Sequence, residues 1–152
     1  MQPALGFAVI LVLTAPAHAR SDIATDLVNL EIAEGCGKAG GRIEPAAAIE
    51  RDLTGDGLAD LVISHEGISC AGGGESSFCG QLCSIKFFIR RGERLELDHE
   101  LLGRGMTVGD GAIPPINMYA AGGRPGAVKW NGTTFAPANQ SARALNRRNS
   151  GP

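Results

Sequence analysis

The sequence predicts an α+β domain, in which an N-terminal helix packs on a mostly antiparallel β-sheet and disulfide bonds staple the two together. Apolar residues recur at helical spacing between Asp22 and Glu34, and they alternate like a strand pair between Ser84 and His99. The composition, with 22 glycines and 5% aromatic residues, favours turn-rich β structure over a helical bundle. Four cysteines are available as staples.

The predicted helix runs from Asp22 to Glu34, with Ile23, Leu27 and Leu30 on one face. Ser21 or Asp22 can cap its start, and a glycine at position 35 or 37 can end it. The apolar stripe is narrow, so we expect the helix to lie against a larger element.

Strands are predicted from Arg42 onward. Leu58–Ser64 is apolar on both faces, which indicates a central strand. Ser84–Arg90 and the residues from Leu95 to Glu100 form a hairpin around Arg91-Gly92-Glu93. Two weaker strands are expected near Ile43–Ile49 and Ile113–Met118, and the dipeptide Asn131-Gly132 predicts a type I′ hairpin turn.

The chain divides into three segments. Residues 1–19 have the pattern of a secretory signal peptide, because an apolar run leads to an Ala-x-Ala motif that ends at Ala19. Residues 20–137 form the single predicted α+β domain, and residues 138–152 form a predicted flexible basic tail. We therefore expect a periplasmic or secreted protein whose mature chain has no membrane span.

The charge of the chain bears on its partners. The formal net charge is −2, which gives no general electrostatic case for binding nucleic acid. We expect a partner in the cell envelope or outside the cell, and its identity is unknown at this point.

The cysteines are expected to form two disulfides, because an even number in an exported chain is typical of a disulfide framework. Four cysteines allow three pairings. Cys79 and Cys83 can close locally across Gly80, which favours that pair and leaves Cys36 with Cys70. A zinc site is the alternative, but the chain lacks the Cys-x-x-Cys spacing that such sites use.

One stretch of the sequence carries a metal-binding pattern. From Asp52 to Leu61 it places carboxylates at loop positions 1, 5 and 9, a hydroxyl at position 3 and a main-chain carbonyl at position 7. Calcium takes several oxygen ligands at once, so this spacing predicts a calcium site. Position 12 is Ile63 rather than the glutamate of an EF-hand. The predicted ligands are Asp52, Thr54, Asp56, the carbonyl of Leu58, and Asp60.

Asp52, Gly55-Asp56-Gly57 and Asp60-Leu61 resemble the calcium loop of FG-GAP and VCBS-type repeats, whose pattern is D-x-[DN]-G-D-G-x-x-D-[LIV]. The resemblance covers this loop alone and implies the same ligand positions. Thr54 stands where the family has Asp or Asn, which shortens the reach of that ligand. A propeller needs several blades and this chain has one loop, so the resemblance does not imply a propeller.

Candidate catalytic residues do not assemble in the sequence. Asp60 and His65 lie five residues apart on a predicted strand and would face opposite sides, with Ser64 or Ser69 as the imagined nucleophile. His99 lies between two acids on a strand, which is typical of a half-buried or solvated side chain. We therefore expect no enzyme.

Two functional hypotheses remain, and a small secreted hydrolase is ranked below both. The first is an exported non-enzymatic domain with one structural calcium. The alternative is a periplasmic inhibitor or a polysaccharide-binding module that uses the Gly/Ser loop between Cys70 and Cys79, residues 72–77, because rigid loops bind with a small ordering cost.

Overall fold

A computed structural model describes residues 20–138 of the protein. The predicted signal peptide and residues 139–152 of the predicted tail lie outside this range. The described residues form one α-helix, a seven-stranded sheet and a two-stranded sheet, all of whose strand pairs are antiparallel. This confirms the predicted α+β class.

The elements follow one another with short connections. The large sheet has the strand order β2-β3-β5-β6-β7-β8-β9, and β1 pairs with β4 beside it. The bounds are α1 Asp22–Cys36, β1 Gly41–Ile43, β2 Ala48–Arg51, β3 Asp60–Ser64, β4 Ile68–Cys70, β5 Cys83–Arg91, β6 Arg94–Val108, β7 Ile116–Ala120, β8 Arg124–Trp130 and β9 Phe135–Pro137.

Helix α1 begins at the predicted residue and ends two residues beyond the predicted Glu34, and its packing face differs from the predicted one, because Leu30 is exposed. The Ser21 hydroxyl accepts a hydrogen bond from the Ala24 N–H at 3.3 Å, which caps one of the free amides of the first turn. Gly37 ends the helix with a φ of +60°, a conformation that costs glycine little. The buried face carries Val28 and Ile32, and it packs against the sheet.

The large sheet curls strongly. Four strand steps separate β5 from β9, which is about 19 Å in a flat sheet. The rings of Phe87 in β5 and Phe135 in β9 are nevertheless 4.5 Å apart between centroids. The inner face of the sheet therefore folds onto itself and encloses a core.

This curl creates two apolar layers. The inner layer lies within the curled sheet and the outer layer lies between α1 and the sheet. The inner layer is formed by Leu53, Val62, Ile85, Phe87, Ile89, Met106, Ile116, Met118 and Phe135. The outer layer is formed by Ala24, Val28, Ile32, Ala48, Leu61, Ile63, Ile68 and Phe88.

Several strand predictions are confirmed, and others need correction. Strand β3 is buried along its whole length and lies inside the sheet, as its apolar faces predict. Strand β6 is longer than expected, because Gly105 adopts a φ of +62° and the register shifts there, so the strand bends and continues to Val108. The predicted type I′ turn at Asn131-Gly132 was wrong. Asn131 does not have a positive φ, and four residues rather than two connect the paired Trp130 and Phe135.

Both predicted disulfides are present. Cys36 bonds to Cys70 and ties the end of α1 to β4, and Cys79 bonds to Cys83 at the start of β5. Two disulfides in one small domain indicate an oxidising compartment, the periplasm or the cell exterior. Among residues 20–138, no helix is long and apolar enough to cross a membrane.

Candidate functional site

The predicted calcium loop connects two neighbouring strands. Asp52 follows β2 directly and Asp60 is the first residue of β3, and these strands pair with each other in the sheet. Gly55 and Gly57 have φ values of +80° and +86°, which let the chain reverse between them. The strand–loop–strand setting is therefore the one that the sequence predicts.

The carboxylate of Asp52 organises the first half of the loop. One oxygen accepts the N–H groups of Thr54 at 3.1 Å and Gly55 at 2.6 Å, and the other accepts that of Gly57 at 2.8 Å. Desolvation acts to raise the pKa of Asp52, but these backbone hydrogen bonds outweigh it and hold the pKa below its usual value.

Asp60 has a different environment, because its side chain is fully buried. One oxygen accepts the N–H of Leu53 at 2.9 Å and the other accepts the N–H of Arg90 at 2.9 Å. Burial nevertheless raises the pKa of this carboxyl above its usual value, and the nearby charge of Asp56 adds to the rise. The negative charge of Asp60 is thus incompletely compensated.

Thr54 lies between these two carboxylates. Its N–H donates to Asp52 at 3.1 Å and to Asp60 at 3.2 Å, so both acids converge on one residue. Its hydroxyl oxygen is buried and has no partner that meets hydrogen-bond geometry, although it lies close enough to Asp60 to help lower that pKa. A buried hydroxyl that makes no hydrogen bond of good geometry is uncommon in proteins.

The remaining predicted ligands are exposed. One oxygen of Asp56 accepts the N–H of Leu58 at 2.8 Å, and Leu58 itself is exposed although its side chain is apolar. Within residues 20–138, no three or more His, Cys, Asp or Glu side chains are already gathered as a metal cluster. The structure thus brings Asp52, Thr54 and Asp60 together and leaves Asp56 at the rim of the loop.

A second polar cluster lies beneath α1, and the sequence analysis missed it. The Nε2 atom of His65 is 2.9 Å from a carboxylate oxygen of Glu31, and the Nδ1 atom is 2.9 Å from the hydroxyl of Ser76. The ammonium of Lys86 donates to the same Glu31 oxygen at 2.7 Å. These four residues belong to α1, the turn after β3, the Cys-bounded loop and β5.

Phe78 closes this cluster on one side. Its ring lies 4.7 Å from the imidazole of His65 and 4.4 Å from the ammonium of Lys86. Desolvation acts to raise the pKa of Glu31, but hydrogen bonds and charge from His65 and Lys86 outweigh it, so the pKa lies below its usual value. The cluster is thus a buried ion pair with its hydrogen bonds satisfied.

The serine, histidine and glutamate contacts resemble those of a catalytic triad, but their burial differs. His65 is 0% exposed, Ser76 is 2% exposed and Glu31 is 4% exposed. A nucleophile has to reach its substrate, whereas all three of these side chains are buried. The arrangement connects α1, the Cys-bounded loop and β5, which is a structural role that needs no catalytic step.

The acid and base candidates of the sequence do not meet. His65 does not meet Asp60, and His99 packs edge-on against Phe87 at 6.3 Å between ring centroids. Comparison of the chain with protein-family models, with curated proteins and with solved structures finds no match. The functional argument therefore rests on the geometry of this chain.

Proposed function

We propose that the protein is an exported, non-enzymatic domain in which the loop from Asp52 to Asp60 binds one structural calcium ion. The observation that carries the proposal is the convergence of Asp52 and Asp60 on the Thr54 N–H, beside a buried Thr54 hydroxyl that makes no hydrogen bond of good geometry. Calcium prefers such oxygen ligands, and a cation would offset the part of the Asp60 charge that its three backbone N–H donors leave uncompensated.

The ligand set would be completed within the loop. Asp52, Thr54 and Asp60 are already close together, and the Leu58 carbonyl and the carboxylate of Asp56 lie in the same short segment. Asp56 is exposed, so its side chain has room to move toward the other ligands. Water oxygens would supply the rest, as is common in calcium sites with six to eight ligands.

The role of the ion would be structural. Asp60 already connects the loop to β5 through the Arg90 N–H, so a cation beside Asp60 would stabilise three neighbouring strands, β2, β3 and β5. A site with three carboxylates and no bidentate glutamate resembles the extracellular calcium modules, whose dissociation constants are on the order of 10⁻⁴–10⁻³ M. Such an affinity suits the calcium concentrations outside cells.

The experiment is a thermal melt of mature protein, residues 20–152, over a calcium series and with chelator. Calcium at about 100 times its dissociation constant should stabilise the fold by about 2.7 kcal/mol, which raises the Tm by several degrees. Asp56→Ala should lose most of this calcium-dependent rise, because a ligand is removed. Without calcium the variant should be at least as stable as the wild type, because repulsion with Asp60 is relieved.

Asp26→Ala is the matched control. Asp26 is an exposed aspartate on α1, outside the loop, so this variant should keep the full calcium-dependent shift. Magnesium in place of calcium tests whether the effect is general screening of charge. A wild-type Tm that is the same in chelator and in calcium at about 100 times the expected dissociation constant, about 10–100 mM, would refute the calcium proposal.

A second candidate function is binding of a polysaccharide or a protein through the Gly72–Ser77 loop. The loop is fixed at one end by Cys70 and at the other by Ser76, whose hydroxyl contacts His65. Beside it lies a groove of about 540 Å³ that includes Arg42. Titration of labelled protein with soluble glycan fragments should shift the amide signals of this loop, and no shift there would contradict the candidate.

A further inference from the structure

The connection between β6 and β7, residues 109–115, lies against the end of β2, although β2 and β7 are four strand steps apart in the sheet. Arg51, the last residue of β2, makes the contact. Its guanidinium donates to the Gly109 carbonyl at 2.8 Å and to the Gly111 carbonyl at 2.9 Å. Arg51 directly precedes Asp52, so one end of the predicted calcium loop is fixed to a segment 58 to 60 residues further along the chain.

A second contact fixes the middle of the calcium loop. Gly55 lies so close to Ile113 that a Cβ atom on the glycine would be 2.7 Å from Cγ1 of the isoleucine. Ile113 belongs to the same β6–β7 connection and is partly buried. Gly55 stands between Thr54 and Asp56, so this contact falls between two predicted ligands.

The β6–β7 connection has supports of its own. The Gly109 N–H donates to the Pro115 carbonyl at 2.8 Å, which closes the connection at its base. Pro114 is fully buried, and its ring fixes the backbone φ angle. The connection can therefore act as a fixed support for the calcium loop.

Anchored positions and ligand positions alternate along the calcium loop. Arg51 and Gly55 contact the β6–β7 connection, and Leu53 is fully buried in the inner layer. The first three predicted ligands occupy the positions next to these, 52, 54 and 56. Each ligand is thus at most one peptide unit from an anchored residue, so loss of an anchor would displace the oxygen beside it.

We propose, on the basis of the calcium site proposed above, that Arg51 and Ile113 are positioning residues for the ion. They hold the loop in the conformation that brings its oxygen atoms together, and neither side chain has an oxygen that could bind calcium itself. Residues that orient metal ligands from outside the coordination sphere contribute about ten- to a hundredfold to metal affinity. By linkage, calcium would in turn hold the β6–β7 connection against β2.

The charge and the position of Arg51 predict opposite results for the variant Arg51→Gln. Arg51 is a cation next to a cation site, so loss of its charge alone would strengthen calcium binding. Loss of its two carbonyl contacts would displace Asp52, and we therefore expect the dissociation constant for calcium to rise about tenfold. The measurement is a calcium titration at constant ionic strength, followed through the amide NMR signal of Gly57, whose N–H donates to Asp52.

Arg124→Gln is the matched control for charge. Arg124 is exposed at the start of β8, outside the calcium loop and the β6–β7 connection. This variant removes the same charge and should keep the dissociation constant within about twofold, because exposed charges are screened over a distance of about 10 Å.

Ile113→Ala tests the second contact without any change of charge. It removes the Cγ1 atom that packs on Gly55, and the dissociation constant should rise about threefold or more. Ile113→Val keeps both γ carbons and should bind calcium nearly as tightly as the wild type. Circular dichroism in chelator establishes that each variant is folded.

The wild-type titration distinguishes this proposal from the calcium proposal itself. A wild type that does not bind calcium up to about 100 mM would overturn both. A wild type that binds calcium, with Arg51→Gln and Ile113→Ala binding it equally well or more tightly, would overturn the positioning role and leave the calcium site in place. If Arg51→Gln does not fold, Ile113→Ala decides, because Ile113 is only partly buried.

Discussion

The inner and outer layers of this protein lie on opposite faces of one sheet, but different interactions stabilise them. The inner layer is apolar and contains the Phe87–Phe135 contact within the curled sheet. The outer layer has, beside its apolar residues, a buried ion pair between Glu31 and Lys86 and a disulfide at the end of α1. The comparison shows two ways to hold one sheet, by area removed from water or by a few specific contacts.

The two ways differ in their sensitivity to conditions. Burial of apolar surface has no ionisable group, so its contribution is the same across the acid range. A buried carboxylate contributes only while it is charged and paired. The outer layer should therefore be the part of the molecule that responds to acid, and the inner layer the part that does not.

The largest effect is expected in the inner layer. Phe87→Ala removes a fully buried ring and leaves a cavity beside Phe135. We expect a loss of about 3–5 kcal/mol in the free energy of unfolding, measured by urea denaturation. The loss should be the same at neutral and at acid pH. A loss below about 1 kcal/mol would mean that the curled sheet is not the main core.

A smaller effect is expected in the outer layer. Glu31→Gln keeps the shape of the side chain but removes the charge that Lys86 and His65 contact, at an expected cost of about 1.5–3 kcal/mol. The control is Glu34→Gln, because Glu34 is half exposed and lies 3.9 Å from the same ammonium. Equal losses in the two variants would contradict the special role of Glu31.

The pH dependence sharpens the same comparison. Because the pKa of Glu31 is lowered in the fold, its contribution is complete above its unfolded value of about 4.5 and is lost as the pH falls through the folded value. Asp60 acts in the opposite sense, since its pKa is raised. The difference in unfolding free energy between wild type and Glu31→Gln should shrink as the pH falls below about 4.5. A constant difference would show that Glu31 is not charged in the fold.

The smallest effect is expected at the start of α1. Ser21→Ala removes the hydroxyl that caps the Ala24 N–H and donates to Glu50, and should cost about 1 kcal/mol in urea denaturation. Thr25→Ala is a control, because Thr25 is exposed within the same helix. Because alanine favours the helix at position 25, a similar loss in both variants would show that the effect does not come from the cap.

Local patterns predicted those parts of the fold that depend on local physics. The helix cap, the central strand β3 and the hairpin of β5 and β6 all follow from spacing that is visible over a few residues. The bend of β6 does not, because it lies at Gly105, which adopts a positive φ within a strand. Nothing in the sequence separates that glycine from those in turns.

The sequence indicated one of the two polar clusters but not the other. The aspartates of the predicted calcium loop lie within nine consecutive residues, so their spacing could be recognised. The partners of Glu31 come from 34 and 55 residues further along the chain, and glutamate on a helix usually faces solvent. The spacing of Glu31 could have indicated its burial, because Glu31 lies on the same side of the helix as the apolar Val28 and Ile32.

Strand β6 has a consequence for the cooperativity of unfolding. Its 15 residues bond to β5 over the first part and to β7 over the last part, so one continuous backbone supports both halves of the sheet. Opening either half would leave part of this strand without its ladder of hydrogen bonds. Amide protons in β5 and in β7 should therefore exchange with solvent in a single event, at the rate set by global unfolding.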